Sequence, residues 1–136
     1  MLPHSAAALD HVAGLGAPLV HFGTGTSEIL DLMRTAGADE VGIDYRLSLQ
    51  EATRRLGPQT PLPSNIDPAY LGADWPVLER HVRKVIDDGA QAAGHVPNLG
   101  RGVPPETDPQ VLTRVVELIH SIDPAPAAEA AAGQPG

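Results

Sequence analysis

The chain has no cysteine and only one lysine, Lys84. Without thiols there is no disulfide and no thiolate metal site, and the redox compartment is left undecided. A formal charge of −8, with no clustered cations, excludes the kind of surface that displaces counterions from nucleic-acid phosphates. Aromatic residues are scarce as well: Phe22, Tyr45, Tyr70 and Trp75 are all there are. The core must be built from Ala, Val, Leu and Ile, which bury less area each, so modest stability is expected. No apolar run approaches the length of a membrane span, and Met1-Leu2-Pro3-His4 has neither a basic nor an apolar leader region. A cytoplasmic protein without membrane contact is the expectation.

What is present is an alternation. Residues 1–17 read as a short N-terminal helix with Leu9, Val12 and Leu15 on one side and Gly16 as its stop. Residues 18–122 read as four strand-then-helix units, and 123–136, mostly Ala, Pro and Gly, as a disordered tail. The first unit pairs Leu19–Phe22 with a helix carrying Ile29, Leu32, Met33 and Ala36 at i, i+3, i+4 and i+7, ended by Gly37. The second pairs Val41–Tyr45 with a helix opened by Ser48 and Glu51 in capping-box spacing, carrying Leu49, Ala52 and Leu56, and ended by Gly57-Pro58. In the third, Thr60–Asn65 is a weak strand because Pro61 and Pro63 lack ladder donors, and Asp74 caps a helix with Leu78, Val82, Val85 and Ile86 on one face. The fourth pairs His95–Leu99 with a helix that has Asp108 at its N-cap, Pro109 at its first turn, and Leu112, Val115, Val116 and Ile119 on one side.

Such alternation implies parallel pairing with right-handed crossovers. An open doubly wound sheet and an arc of a barrel both satisfy it. Strands this short, polar-tipped and broken by Pro and Gly favour the arc, because doubly wound strands read as continuous apolar runs. A (β/α)8 barrel takes eight units and about 250 residues. The fold class is therefore α/β, half of such a barrel, four parallel strands alternating with helices.

In a barrel the working surface is the C-terminal edge of the strands. There the sequence places His21 with Gly23-Thr24-Gly25-Thr26, Asp44 with Arg46, Asn65 with Asp67, and Asn98 with Arg101. The Gly23–Thr26 loop runs into a helix, so its amides can hold a carboxylate or phosphate; a plain tight turn explains the same residues and is the commoner case. His21 is a candidate acid, base or ligand, although a hydrogen-bonded structural histidine is the more frequent outcome. His4, His11, His81 and His120 fall on helices without metal-ligand spacing and are expected at the surface. Asp44 and Arg46 are not expected to pair, and Asp44 is first a candidate loop anchor. The most specific stretch is Gly94 to Glu106, where Gly100 and Gly102 flank Arg101 and let backbone approach a ligand while the side chain points at it. A strand-ending turn with an exposed arginine is the bland alternative.

The stretches LPHS at Leu2–Ser5, HFGTGT at His21–Thr26, GADEVGIDYR at Gly37–Arg46, NIDPAYL at Asn65–Leu71 and GHVPNLGRGVPPETDP at Gly94–Pro109 together resemble the C-terminal half of the uroporphyrinogen decarboxylase family. That resemblance implies a (β/α)8 barrel, usually a homodimer, acting as a cofactor-independent carboxy-lyase in haem biosynthesis. It removes four acetate carboxyls of uroporphyrinogen as CO2 to give coproporphyrinogen. The pyrrole serves as its own electron sink once protonated at a ring carbon, and the enzyme supplies position, charge pairing and proton transfer. The family's pyrrole-gripping aspartate, arginine-rich loop and tyrosine belong to its N-terminal half, so no catalytic residue is assigned within this chain.

The one family substrate residue falling here is the histidine of Asn-Leu-Gly-His-Gly, and Arg101 stands in its place, with Gly100 and Gly102 beside it. An arginine pairs with carboxylates but, with a pKa above about 12, shuttles no proton near neutrality. Pro63-Ser64-Asn65 replaces the usual Gln-Gly-Asn, and Pro97 is a further departure. No metal or cofactor is implied. The leading expectation is a decarboxylase truncated to its C-terminal half and inactive alone, with a tetrapyrrole ligand and either a homodimer or a complementary N-terminal half as partner. The alternative is a non-catalytic half-barrel paralogue acting through self-association. Methyltransferases of the same superfamily resemble it less, because their zinc ligands include cysteine.

Overall fold

The computed structural model describes residues 2–122, and the tail expected over 123–136 lies outside the described residues. Helix α1 (Leu2–Val12) runs through a 3-10 turn, Ala13–Leu15, to Gly16, whose φ of 73° is the left-handed stop that glycine adopts freely. Four units follow: β1 (Val20–Phe22) with α2 (Leu30–Thr35), β2 (Glu40–Gly42) with α3 (Leu49–Leu56), β3 (Leu62–Pro63) with α4 (Trp75–Gly89), and β4 (His95–Val96) with α5 (Pro109–Ser121). All strand pairing is parallel: Val20 lies beside Glu40 and Phe22 beside Gly42, while Leu62 lies beside His95 and Pro63 beside Val96. Among the described residues, no helix is long and apolar enough to cross a membrane.

The strands are shorter than their sequences predict. β2 ends at Gly42 rather than Tyr45, and β3 and β4 keep two residues each plus an isolated bridge between Ile66 and Leu99. The prolines explain where pairing fails between β2 and β3. The N–H groups of Leu62, Ser64 and Ile66 donate to the carbonyls of Gly94, Val96 and Asn98 at 2.9, 3.0 and 2.9 Å. Alternation therefore turns the nitrogens of Pro61 and Pro63 toward β2, where no N–H is left to donate. A single bond, from the Ile43 N–H to the Pro63 carbonyl at 3.2 Å, joins β2 to β3, and the strands divide at this seam into a β1–β2 pair and a β3–β4 pair. The same logic clears Pro97: the Gly100 N–H donates to Ile66, so the even positions of β4 face β3 and Pro97 faces the open edge.

The core lies between strands and helices. Val41, Ile43, Leu62 and Ile66 from the strand layer meet Leu49, Leu78 and Val82 from the helices, all fully buried. Each helix packs on the next, α1 on α2 through α4 on α5. The other strand face is open: Val20, Phe22 and Val96 are 49, 45 and 62% exposed.

Two helical faces differ from the periodicity. On α2, Leu30, Met33 and Ala36 are buried, Ile29 in the 3-10 turn ahead of the helix is partly buried, and Leu32 is exposed. On α5 the buried pair is Val115 and Leu118, and Val116 is exposed. The caps also differ in detail. Ser48 accepts from the Glu51 N–H at 3.2 Å, but the Glu51 carboxylate goes to Arg54 and Arg55, leaving half a capping box. Asp108 accepts from the Gln110 N–H at 2.9 Å, whereas Asp74 caps α4 through its carbonyl alone.

Ser64, almost fully buried, has φ at 113°, a region that suits glycine and strains a side chain. Ser64→Gly is expected to stabilise the chain by about 1 kcal/mol and to raise its urea midpoint. A midpoint unchanged or lowered would contradict that reading of the backbone.

Candidate functional site

The ends of all four units meet around Asp44. β2 delivers it just past Gly42, and a turn over Tyr45 and Arg46 takes the chain on toward α3. Its carboxylate, 1% exposed, accepts the Gly25 N–H at 2.5 Å, the Arg46 N–H at 3.0 Å and an Arg46 guanidinium N–H at 2.9 Å. The pair with Arg46 corrects the expectation from sequence. Both residues lie in the turn beyond the strand, where the carboxylate folds back over the following backbone. Burial pushes the Asp44 pKa up, but the amides of Gly25 and Arg46 and the guanidinium outweigh it and hold it below the ordinary value.

That geometry answers what the Gly23–Thr26 loop holds. The Thr26 hydroxyl donates to the Gly23 carbonyl at 2.8 Å, Gly25 takes φ of 71°, and its amide points at Asp44. The loop is an anion-holding turn whose anion is internal. From β3, the buried Asn65 amide donates to the carbonyls of Asp44 and Leu47 at 3.0 and 2.5 Å. From β4, Gly100 lies flat on the same backbone: a Cβ there would sit 2.5 Å from the Tyr45 nitrogen. Gly100 thus lets backbone approach backbone, whereas Gly102 has nothing within 4 Å and faces open space.

Arg101, between them, is exposed on the wall of a cleft of about 470 Å³. Tyr45 and Asp67 supply its other polar walls, and Val103, Pro104 and Pro68 its apolar ones. Among the described residues no salt bridge involves Arg101. A free guanidinium beside a phenol and a carboxylate, over an apolar floor, suits a ligand with both carboxylate and ring surface. Arg46, half exposed and 4.8 Å above the Tyr45 ring, adds a second cation nearby.

His21 is not part of this cleft. It sits in the middle of β1 with Nδ1 3.4 Å from the Met33 carbonyl of α2, on the face opposite Val20 and Phe22. His81 corrects the surface expectation in the other direction. Its ring stacks on Tyr70 with centroids 4.0 Å apart, and its Nε2 accepts the Asp67 N–H at 3.0 Å. Nothing in the sequence pattern alone marks Tyr45 or Tyr70 as a site residue. A signal for His81 does exist, since it lies three residues after Leu78 and four before Val85, on the buried stripe of α4. Among the described residues no three His, Asp or Glu side chains converge as a metal ion requires.

Parallel strands with their loops gathered at one edge, and a cation-bearing cleft among those loops, define an α/β protein of the kind that works at its strand ends. The family model described as Uroporphyrinogen decarboxylase (URO-D) matches residues 1–122. The chain belongs to the uroporphyrinogen decarboxylase family. A protein named uroporphyrinogen decarboxylase from Arthrobacter sp. (strain FB24) is 70% identical over 122 residues, covering 90% of this chain and 35% of that protein. One from Salinispora tropica is 53% identical over 124 residues, covering 91% and 33%, and one from Leifsonia xyli subsp. xyli is 52% identical over 134 residues, covering 87% and 36%. The chain spans about a third of the length of these curated relatives.

Two expected outcomes follow from the geometry. Asp44→Asn should cost about 2 kcal/mol, by loss of charge-assisted hydrogen bonds at a buried position. Because the folded-state pKa of Asp44 is depressed, its contribution is present above about pH 4 and lost as pH falls through the folded value. Urea titrations at several pH values should therefore show the mutant's deficit shrinking in acid. Gly100→Ala should destabilise by about 1–3 kcal/mol through forced backbone movement, against a few tenths for Gly102→Ala. Equal midpoints for the two variants would remove the proposed backbone contact.

Proposed function

We propose that the chain supplies four units of a uroporphyrinogen decarboxylase barrel, its C-terminal half, together with one substrate-contacting loop. The observation that carries this reading is the position of Arg101. It stands where the family has a histidine, in no salt bridge among the described residues, on a cleft that the ends of β2, β3 and β4 build between them. In the complete barrel the reaction is the family's: acetate carboxyls of uroporphyrinogen leave as CO2, giving coproporphyrinogen. Arg101 binds a substrate carboxylate, bidentately where the geometry allows, and takes no part in proton transfer. Proton transfer and pyrrole binding fall to residues outside this chain, so the chain alone has no turnover. A complementary N-terminal half, or a homodimer of completed barrels, is the partner this reading requires.

The test is complementation. The purified chain is expected to form no coproporphyrinogen from uroporphyrinogen, and to form it when co-expressed with the missing units of a relative. In that assembly Arg101→Ala should raise KM about tenfold to a hundredfold with a smaller change in kcat, the range for one lost charged hydrogen bond. Turnover by the chain alone would refute the reading, and an unchanged KM would remove Arg101 from it.

The open strand face supports a second reading, a non-catalytic half-barrel that self-associates. Val20 and Phe22 on β1 and Val96 on β4 are exposed there. Light scattering that finds a monomer, with no binding of a dye for exposed apolar surface, would dismiss it.

A further inference from the structure

We infer that His81, in its neutral form, is the positioning residue for the Asp67–Ala69 wall of the cleft, and that acid releases the wall. His81 belongs to α4, behind the cleft, and touches none of its open space. It acts through Asp67, whose backbone N–H it accepts at Nε2 at 3.0 Å, and through Tyr70, on which its ring lies nearly parallel, with 5° between the planes. Asp67, Pro68 and Ala69 line the cleft together with Arg101. The segment's own bonds only shape its turn: Asp67 Oδ1 accepts the Ala69 N–H at 2.9 Å, and the Asp67 carbonyl accepts the Tyr70 N–H at 3.1 Å. The bond to His81 is the one that ties this turn to the rigid helix behind it.

The bond requires a lone pair on Nε2, so the proton of the neutral ring is on Nδ1. Once the ring is doubly protonated, Nε2–H and the Asp67 N–H are two donors pointed at each other. One cannot accept from the other, and the wall loses its anchor. Burial lowers the pKa of the ring, the Asp67 carboxylate draws it back up, and Lys84 of α4 lowers it further. Those are the charges that act on it among the described residues; the facing Tyr70 ring stacks on it. With a depressed folded-state pKa, the anchoring is complete above the ordinary histidine value and is lost as pH falls through the folded one.

The inference takes its meaning from the cleft reading above but is tested without it, on the chain alone. Amide hydrogen exchange by NMR, corrected for intrinsic rates, reads Asp67 directly. Its protection is expected to fall about tenfold, as for one lost hydrogen bond, between about pH 7.5 and the acid end of the range in which the chain stays folded, while Leu78 and Val85 in α4 keep theirs. His81→Gln offers a carbonyl acceptor that does not titrate, and should keep Asp67 protected at both pH values. His81→Phe keeps the stacking and removes the acceptor, and should leave Asp67 equally unprotected at both. The inference is overturned if wild-type protection does not change with pH, if His81→Gln retains the wild-type pH response, or if His81→Phe is protected like the wild type. None of these results depends on whether complementation restores decarboxylation.

Discussion

A buried carboxylate loses several kcal/mol of hydration, which only well-placed donors can replace. In this chain that requirement organises the whole strand-end surface. The Asp44 carboxylate draws in the loop after β1 through Gly25 and closes its own turn through Arg46. The carbonyl of the same residue is held from β3 by Asn65, and the backbone just beyond it is covered from β4 by Gly100. Each of the four units thus makes contact with Asp44 or Tyr45, two through the Asp44 carboxylate and two through the backbone. The cleft exists because these contacts bring Tyr45, Asp67 and Arg101 within one concavity. They matter more here because the strands are too short, and the β2–β3 seam too poor in donors, for the ladder to fix the loops unaided.

The architecture was legible in the sequence where the signal is chemical and local. Gly16, Ser48, Gly57 and Asp108 mark helix ends that the structure keeps, because stops and caps depend on single residues. The alternation of strand and helix survives for the same reason. Strand length was not legible, since it depends on which direction each proline's nitrogen faces, and that is known only once the register is set. Pro63 weakens one seam and Pro97 weakens none, although both look alike in the sequence. On α2 the periodicity holds at Met33 and Ala36 and fails at Leu32, where Leu30, just behind a 3-10 turn, is buried instead.

The site divides along the same line. Arg101 is exposed, and a residue of that kind announces itself by type and by flanking glycines. Asp44 was legible as an anchor but not as an ion pair, because its partner depends on the turn geometry after the strand. Gly100 reads in the sequence as making room for a ligand and instead makes room for Tyr45 backbone. His21 is drawn to the rim by its neighbours in the sequence, while the strand alternation that turns it toward Met33 places it elsewhere. Arg101 gives the cleft a guanidinium that stays charged across the physiological range.

The outward edge of β4 bears on how the chain behaves at high concentration. Of its outward backbone nitrogens, Pro97 has no hydrogen and the Leu99 N–H is taken by the Asn98 side chain at 2.8 Å, so His95 is the only donor left there. An incoming strand can give hydrogen bonds to this edge but finds almost nothing to receive in return. Templated growth of cross-β aggregates needs both directions at every step. The β4 edge is therefore a poor template for an added strand, because of a residue that looks, in the sequence, like a defect.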